Sequence, residues 1–283
     1  MRRMESFHRW LIVIGTLALL AVFLPTMVHA ISVSPMAVFL DHRNRTGTIT
    51  LYNANPLPEE VDVSFAFGYP QSDSAGNVSV PLGEGDAPAG EPSAVGWLRA
   101  FPRRVVLQPG QQQVVRILAQ PPEDLPDGEY WARVLVTATG GRPPVEEQVQ
   151  PDVRVAITMR TIVVGSLNYR KGELTTGVTA RRADAVREGE TVTFTLDLER
   201  EGQAAYLGRV RVQLQDAQGR TLAEETDVVS VYRGLRRRFV LSAPVGTDLT
   251  GAHVRYDLAT ERPELGQENL IQAPPVEGVA PVR

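Results

Sequence analysis

The fold of this chain is decided by strict alternation, which is clearest in the segment VDVSFAF at residues 61–67. Its odd-numbered residues are Val or Phe, and the residues between them are polar or small. A period of two is typical of a β-strand that buries one face. The same pattern recurs at residues 49–51, 130–136, 192–198 and 210–214.

Turn signals separate these segments. Dipeptides that favour turns occur at Pro109-Gly110, Asp127-Gly128, Gly140-Gly141 and Glu201-Gly202, and no amphipathic helical pattern follows residue 30. Short strands joined by turns every 8 to 12 residues or so indicate sandwiches. The sequence therefore predicts an all-β chain with two immunoglobulin-like β-sandwich domains in tandem.

We predict four segments along the chain. Residues 1–30 form a signal peptide, residues 31–166 the first sandwich and residues 167–262 a second small β-sandwich. The boundary is drawn where an apolar run ends at Gly165 and a new alternating pattern starts. Residues 263–283 contain four prolines and little periodicity, which predicts a flexible tail.

The first thirty residues have the features of an export signal. Arg2, Arg3 and Arg9 are followed by the apolar stretch Leu11–Phe23, and Val28-His29-Ala30 has the small-x-small pattern of a cleavage site. Pro25 and Thr26 interrupt the stretch before it reaches the roughly 20 apolar residues of a membrane span. We expect cleavage after Ala30, with an uncleaved membrane anchor as the alternative.

Composition excludes several functions. The net charge of −4 offers no basic surface for nucleic acid. The chain has no Cys and only 4 His, which removes disulfides, thiolate chemistry and His-rich metal centres. Motifs for serine hydrolases, zinc proteases, phosphate loops and dinucleotide folds are also missing. We expect no catalytic residue, no metal site, no cofactor and no enzymatic activity.

One region carries a family resemblance. The segment PRRVVLQPGQQQVVRI at residues 102–117, followed by LPDGEY at 125–130, resembles the signature of periplasmic pilus-assembly chaperones of the chaperone-usher systems. Val33-Ser34-Pro35 and the strand at residues 48–53 are similar to the opening strands of that PapD-like family. The resemblance covers roughly residues 31–165.

The resemblance implies a mechanism and its partners. In that family, the last strand of the first domain is lent to an incomplete pilin subunit, which then passes to an outer-membrane usher. The expected partners are thus secreted β-rich pilin-like subunits and an usher-like assembly protein, and the expected location is the periplasm. Between residues 149 and 159 the odd positions are mostly apolar, and the proposed donor residues are Val149, Val153, Val155 and Ile157. The alternative is an ordinary half-buried strand of its own sandwich.

The resemblance also implies site residues. A Lys in the donor strand and an Arg in the first strand of that family bind the terminal carboxylate of the client. Alignment puts Arg160 at the Lys position and the uncharged Met36 at the Arg position. A glutamate that fixes the two domains matches Glu129, while its arginine partner, four residues after the anchor, falls on Val164.

Two functional classes are compatible with the sequence. The first is a periplasmic chaperone for fimbrial or similar surface subunits. The second is a non-catalytic extracytoplasmic structural or adhesive module built from two sandwiches, and a carbohydrate-binding or enzymatic role ranks behind both. A strand edge kept open for clients can also pair with its own copy, which predicts a self-capping dimer.

A cluster of arginines in the second sandwich allows two interpretations. Arg233 and the run Arg236-Arg237-Arg238 follow the strand predicted at residues 228–232. Such a cluster suits an acidic partner or anionic headgroups. The more common alternative is a solvated end of a strand.

Overall fold

The computed structural model describes residues 31–83, 87–140, 147–150, 153–155 and 160–283. Residues 1–30, to which the signal-peptide prediction applies, lie outside the described residues. The described residues of the first half form thirteen strands, which in chain order are β1 (Ile31–Ser34), β2 (Ala37–Asp41), β3 (Thr46–Asn53), β4 (Glu59–Ala66), β5 (Gln71–Ser72), β6 (Val78–Ser79), β7 (Leu98–Phe101), β8 (Arg104–Leu107), β9 (Gln112–Ala119), β10 (Gly128–Gly140), β11 (Glu147–Gln150), β12 (Val153–Val155) and β13 (Arg160–Lys171).

The second half adds seven strands and two short 3-10 turns. A further 3-10 turn at Val95–Trp97 lies in the first half. The strands are β14 (Thr176–Glu188), β15 (Thr191–Gly202), β16 (Tyr206–Gln215), β17 (Thr221–Val231), β18 (Gly234–Ser242), β19 (His253–Ala259) and β20 (Val276–Pro281). The part of the chain that the structure describes contains no helix long and apolar enough to cross a membrane.

The first sandwich packs a four-stranded sheet, ordered β1-β3-β9-β7, on a five-stranded sheet, ordered β2-β13-β10-β4-β8. All pairs are antiparallel except β2 with β13, which run parallel. The core between the sheets contains the predicted apolar positions, among them Ile49, Leu51, Val61, Val63, Val134 and Val136. The alternation at these segments is therefore confirmed as a buried face.

The second sandwich packs the sheet β14-β15-β18 on the sheet β17-β16-β19-β20. Its core contains every apolar residue of the alternating segments at 192–198 and 210–214, and the rings of Phe194 and Phe239 pack there in a tilted arrangement with a centroid separation of 6.2 Å. The all-β fold with two sandwiches, predicted from periodicity, is confirmed by this arrangement.

The boundary between the sandwiches differs from the predicted one at residues 166 and 167. Strand β13 continues to Lys171, and Leu167 and Tyr169 are fully buried in the core of the first sandwich. Gly165 interrupts the apolar run without ending the strand, because the alternation resumes on the same face. The chain turns only at Gly172, whose φ of 81° is a conformation that glycine adopts easily, and the second sandwich begins at Thr176.

The C-terminal segment is not the flexible tail predicted for residues 263–283. Strand β20 pairs with β19, and Ala280 is only 2% exposed in the second core. Arg283 exchanges backbone hydrogen bonds with Ala185 and Arg187 of β14. Proline content misled the prediction because β20 is an edge strand, where a residue without an N–H is tolerated.

Candidate functional site

The strand β13 has a partly open edge. Along its whole length it pairs with β10, from Arg160 opposite Thr139 to Lys171 opposite Gly128. On its other side β2 pairs only with Ser166–Arg170. Among the described residues, the segment Arg160–Gly165 therefore has a neighbour on one side alone, and its outward N–H and C=O groups form an edge available for another strand.

Two apolar side chains lie along this open edge. Ile162 is 50% exposed and Val164 is 37% exposed, while Val163 between them packs against the first core. Gly165 ends the open segment, and a Cβ there would lie 3.0 Å from the carbonyl oxygen of Met36. The open edge of Arg160–Gly165 thus combines free backbone groups with an exposed apolar face of period two.

The predicted donor residues do not lie on one strand. Val149 belongs to β11, whereas Val153 and Val155 belong to β12, and these two strands pair antiparallel with each other. Ile157 lies outside the described residues. The prediction of a continuous donor strand from residue 149 is therefore wrong. Pro151 in the sequence disfavours such a strand, because proline has no N–H to donate to a neighbouring strand.

Glu129 connects the two sandwiches. It is 3% exposed, and its Oε2 accepts a hydrogen bond from Nε of Arg170 at 2.8 Å. Its Oε1 accepts from the indole N–H of Trp131 at 3.0 Å and from the backbone N–H of Ala205, in the second sandwich, at 2.9 Å. Arg170 in turn donates from Nη1 to the carbonyl oxygen of Asn269 at 2.6 Å. The buried pair therefore bonds to both sandwiches.

The arginine partner of Glu129 is Arg170. The family alignment places this partner at position 164, which is a valine. The register of β10 and β13 places Arg170 directly opposite Glu129. Sequence reasoning missed this residue, although the alternation of Leu167 and Tyr169 beyond Gly165 was a signal that the strand continues and carries Arg170 on the opposite face.

With Arg170 as the partner of Glu129, the spacing of the family places the anchor for the client carboxylate at a different residue. Counting four residues back from Arg170 leads to Ser166, not to Arg160. The backbone N–H of Ser166 donates to the carbonyl oxygen of Met36 at 2.8 Å, so the two aligned anchor positions are neighbours. They carry a hydroxyl and a thioether. Arg160 instead begins the open edge, where it is exposed, and its role as the anchor for a client carboxylate stays a prediction.

An aromatic cluster fills the interface around Glu129. It comprises Phe67, Trp131, Ala205, Leu207, Tyr232 and Leu270. The rings of Trp131 and Tyr232 meet edge to face at 4.9 Å, and the Tyr232 hydroxyl donates to Oδ1 of Asn168 at 3.1 Å. Complete burial raises the pKa of Tyr232. The odd-numbered residues of β10, Glu129, Trp131 and Arg133, point to this interface. The even-numbered residues form the opposite face, which packs in the core of the first sandwich as the alternation predicts.

A second contact joins the small hairpin of the first sandwich to β18. The N–H of Arg236 donates to Oγ of Ser72 at 2.7 Å, and its Nη1 donates to the carbonyl oxygen of Ser74 at 3.0 Å. The same guanidinium forms two bonds with the Asp197 carboxylate, at 2.6 and 2.7 Å. Arg236 therefore holds the hairpin on the second sandwich through both its backbone and its side chain.

Ion pairs account for most of the arginine cluster at residues 233–238. Arg233 pairs with Glu91, Arg236 with Asp197 and Arg237 with Asp227. Carboxylates of the chain thus neutralise most of the cluster, and since Arg236, Arg237 and Arg238 lie within β18, the cluster is not the solvated strand end of the alternative interpretation. In the described ranges, no group of three or more His, Cys, Asp or Glu could hold a metal ion.

Comparisons with known proteins found similarity only among solved structures. No family model and no curated protein matches the chain. The chain is similar to a structure of the Salmonella enterica SafA pilin in complex with the SafB chaperone, at 15% identity, covering 90% of this chain and 98% of that chain with a TM-score of 0.43.

Two further chaperone structures give comparable values. The YadV chaperone is 12% identical over 88% of this chain and 99% of its own, with a TM-score of 0.42. The Pseudomonas aeruginosa CupB2 chaperone is 14% identical over 89% of this chain and 100% of its own, with a TM-score of 0.41. At these identities the similarity concerns the fold alone.

Proposed function

We propose that this protein is a periplasmic chaperone that lends the open edge of β13 to an incomplete β-sandwich subunit. The observation that carries the proposal is the segment Arg160–Gly165, which has one strand neighbour among the described residues and exposes Ile162 and Val164. The resemblance of residues 102–130 to pilus-assembly chaperones supports the same function. The clients are then secreted β-rich, pilin-like subunits, and an outer-membrane usher-like protein receives them.

The energetics of strand addition suit this edge. Main-chain hydrogen bonds to the free N–H and C=O groups provide affinity, and side chains of period two provide fit to a groove. Full burial of an aliphatic side chain contributes about 1.5–3 kcal/mol. Burial of Ile162 and Val164 in a client groove therefore supplies a substantial part of the binding energy.

The donor segment of this proposal is shorter than the one expected from sequence. Val149, Val153 and Val155 lie on the β11–β12 hairpin, so they do not extend the apolar face of β13. Ile162 and Val164 take their place. Since Met36 and Ser166 carry no charge, the client terminus has no cation at those two positions, and we propose that apolar fit sets the register.

Co-expression with candidate pilin-like subunits tests this function. In the double variant Ile162→Asp/Val164→Asp, two charges would enter the apolar groove of the client, so we expect the complex to be lost in a pull-down. Val106→Asp is the matched control, because Val106 is 54% exposed on β8 at the other edge of the same sheet. The control is expected to retain the client.

The result can also contradict the proposal. Equal recovery of clients by the double variant and the wild type would show that the open edge of β13 does not bind them. If no β-rich subunit is recovered from a strain that expresses the secreted proteins encoded by the neighbouring genes, a structural or adhesive role becomes the better proposal.

A further inference from the structure

Arg200 lies near the end of β15, and its guanidinium is partly buried. To the residues that the structure describes it makes neither a hydrogen bond nor an ion pair, and its Nη1 is buried. Its Cζ lies 5.9 Å from the ring centroid of Trp131, in the interface between the sandwiches. The position is therefore partly desolvated and faces an aromatic ring.

Unused donors at such a position are unusual. An arginine carries five N–H donors, and buried donors are paired in the great majority of cases because an unpaired one costs free energy. Glu129 is the nearby carboxylate, but its oxygens already accept from Arg170, Trp131 and Ala205. Burial lowers the pKa of Arg200, the charge of Glu129 opposes this shift, and the charge of Arg233 adds to it. A further anion at this point would offset both the burial and the charge of Arg233.

Arg200 lines a pocket with two more arginines. The pocket has a volume of about 400 Å³ and is lined by Arg181, Leu198, Glu199, Arg200, Arg233 and Gly234. The backbone N–H of Arg200 donates to the carbonyl oxygen of Arg233 at 2.8 Å, which holds the two residues side by side. Arg181 stands at a bulge of β14, where the register with β15 shifts.

Among the described residues, one arginine around the pocket forms no ion pair. Arg181 pairs with Glu199, and Arg233 pairs with Glu91 of the first sandwich at 2.6 Å. Arg200 is the third arginine and has no carboxylate partner in the described part of the chain. The pocket therefore has an excess positive charge and a set of free donors on the same residue.

We propose that this pocket binds a small oxyanion, with Arg200 as its principal ligand. A guanidinium presents its donors as a planar fork that matches a phosphate or carboxylate group in a bidentate geometry. The volume is in the range of small-molecule sites, so the ligand is a phosphate or carboxylate group carried on a small organic body. A soluble metabolite and a lipid headgroup are the two sources of such a phosphate. This site is separate from the open edge of β13.

Titration calorimetry with inorganic phosphate tests the site. Phosphate is added to the purified protein against sodium chloride of equal ionic strength, and we expect one binding site together with a rise in Tm, because a ligand that binds the folded state stabilises it. Arg200→Gln removes the fork and is expected to weaken binding at least tenfold. Arg200→Lys keeps the charge without the fork and should fall between the two.

Arg187→Gln serves as the control, since Arg187 is an exposed arginine of the same sandwich whose guanidinium, among the described residues, donates only to the carbonyl oxygen of Gly189. It should bind phosphate like the wild type. If Arg200→Gln fails to fold, crystals of the wild type soaked with tungstate, an anomalous scatterer, replace the variant. A peak beside the Arg200 guanidinium supports the site, and a peak elsewhere overturns it.

Vesicle sedimentation separates the two sources of the phosphate. Vesicles of phosphatidylcholine with and without phosphatidylglycerol are compared, using wild type and Arg200→Gln. Binding to phosphatidylglycerol vesicles that depends on Arg200 identifies a lipid headgroup, and binding to free phosphate alone identifies a soluble ligand. The proposal is overturned if neither probe binds, or if Arg200→Gln binds as well as the wild type.

Discussion

Arg170 and Glu129 form a salt bridge of 2.8 Å between directly opposed positions of β13 and β10. The Glu129 side chain is fully buried and that of Arg170 is 16% exposed. The same carboxylate also accepts the backbone N–H of Ala205. One ion pair thereby links the strand that carries the open edge to the second sandwich.

Breaking this pair should destabilise the whole protein. Arg170→Met leaves a buried, unpaired carboxylate, and removal of one partner of a buried ion pair typically costs about 3–5 kcal/mol. We expect the free energy of unfolding, measured by urea denaturation, to fall by that amount. The double variant Arg170→Met/Glu129→Gln removes the charge as well and should recover part of the loss.

A change below about 1 kcal/mol in Arg170→Met would contradict this expectation, because exposed ion pairs contribute that little. Arg181→Met is a suitable control. Arg181 pairs with Glu199 on the surface, where their side chains are 61% and 53% exposed.

The C-terminal strand should be necessary for stability. Deletion of residues 276–283 removes β20 together with the buried Ala280, uncovers the edge of β19, and breaks the hydrogen bonds of Arg283 with β14. We expect the Tm to fall by about 5 °C or more, since 1 kcal/mol corresponds to roughly 4–8 °C for a domain of about 100 residues. A flexible tail, by contrast, could be deleted with no change in the melting curve.

Stability should decrease at low pH through the Asp197–Arg236 pair. The side-chain hydrogen bond from Arg236 holds the pKa of Asp197 below its ordinary value of 3.8. A carboxyl with a depressed pKa stabilises the folded state above its unfolded pKa, and this contribution is lost as the pH falls through the folded pKa. Wild type and Asp197→Asn should therefore differ most near neutral pH and converge in acid.

Urea denaturation at a series of pH values from 6 to about 3 measures this difference. Glu188→Gln is the control, because Glu188 is an exposed carboxylate at the end of β14. A gap between wild type and Asp197→Asn that stays constant across the series would show that the Asp197 charge adds no pH-dependent stability.

The sequence predicted the fold better than the candidate site, for physical reasons that particular residues illustrate. Alternation at residues 61–67 and 192–198 reports burial within one strand, which is a local property, and the cores confirm it. The pairing of Glu129 with Arg170 depends on the register between β10 and β13, and no local pattern specifies register across the intervening residues. The open edge depends on where β2 stops covering β13, which is again a tertiary property.

The interface was missed for a related reason. Trp131 and Tyr232 lie on opposite sandwiches, and each alone is compatible with a core or a surface aromatic. The unpaired Nη1 of Arg200 cannot be predicted from the sequence either, because it depends on which of the described residues surround the guanidinium in the fold. Local periodicity thus identified the strands, whereas the contacts between them required the structure.

The open edge of β13 should also pair with a second copy when no client is present. Exposed edge strands join other edges unless charges or bulges prevent it, and Ile162 is a half-exposed apolar residue on this one. Analytical ultracentrifugation should show a dimer whose population rises with protein concentration. Ile162→Lys places a charge on the edge and is expected to shift the protein to the monomer.

Val279→Lys is the control, because Val279 is 59% exposed on β20, an edge of the second sandwich. If Val279→Lys abolishes the dimer and Ile162→Lys does not, the protein self-associates through the β20 edge, and the open edge of β13 does not pair with a second copy.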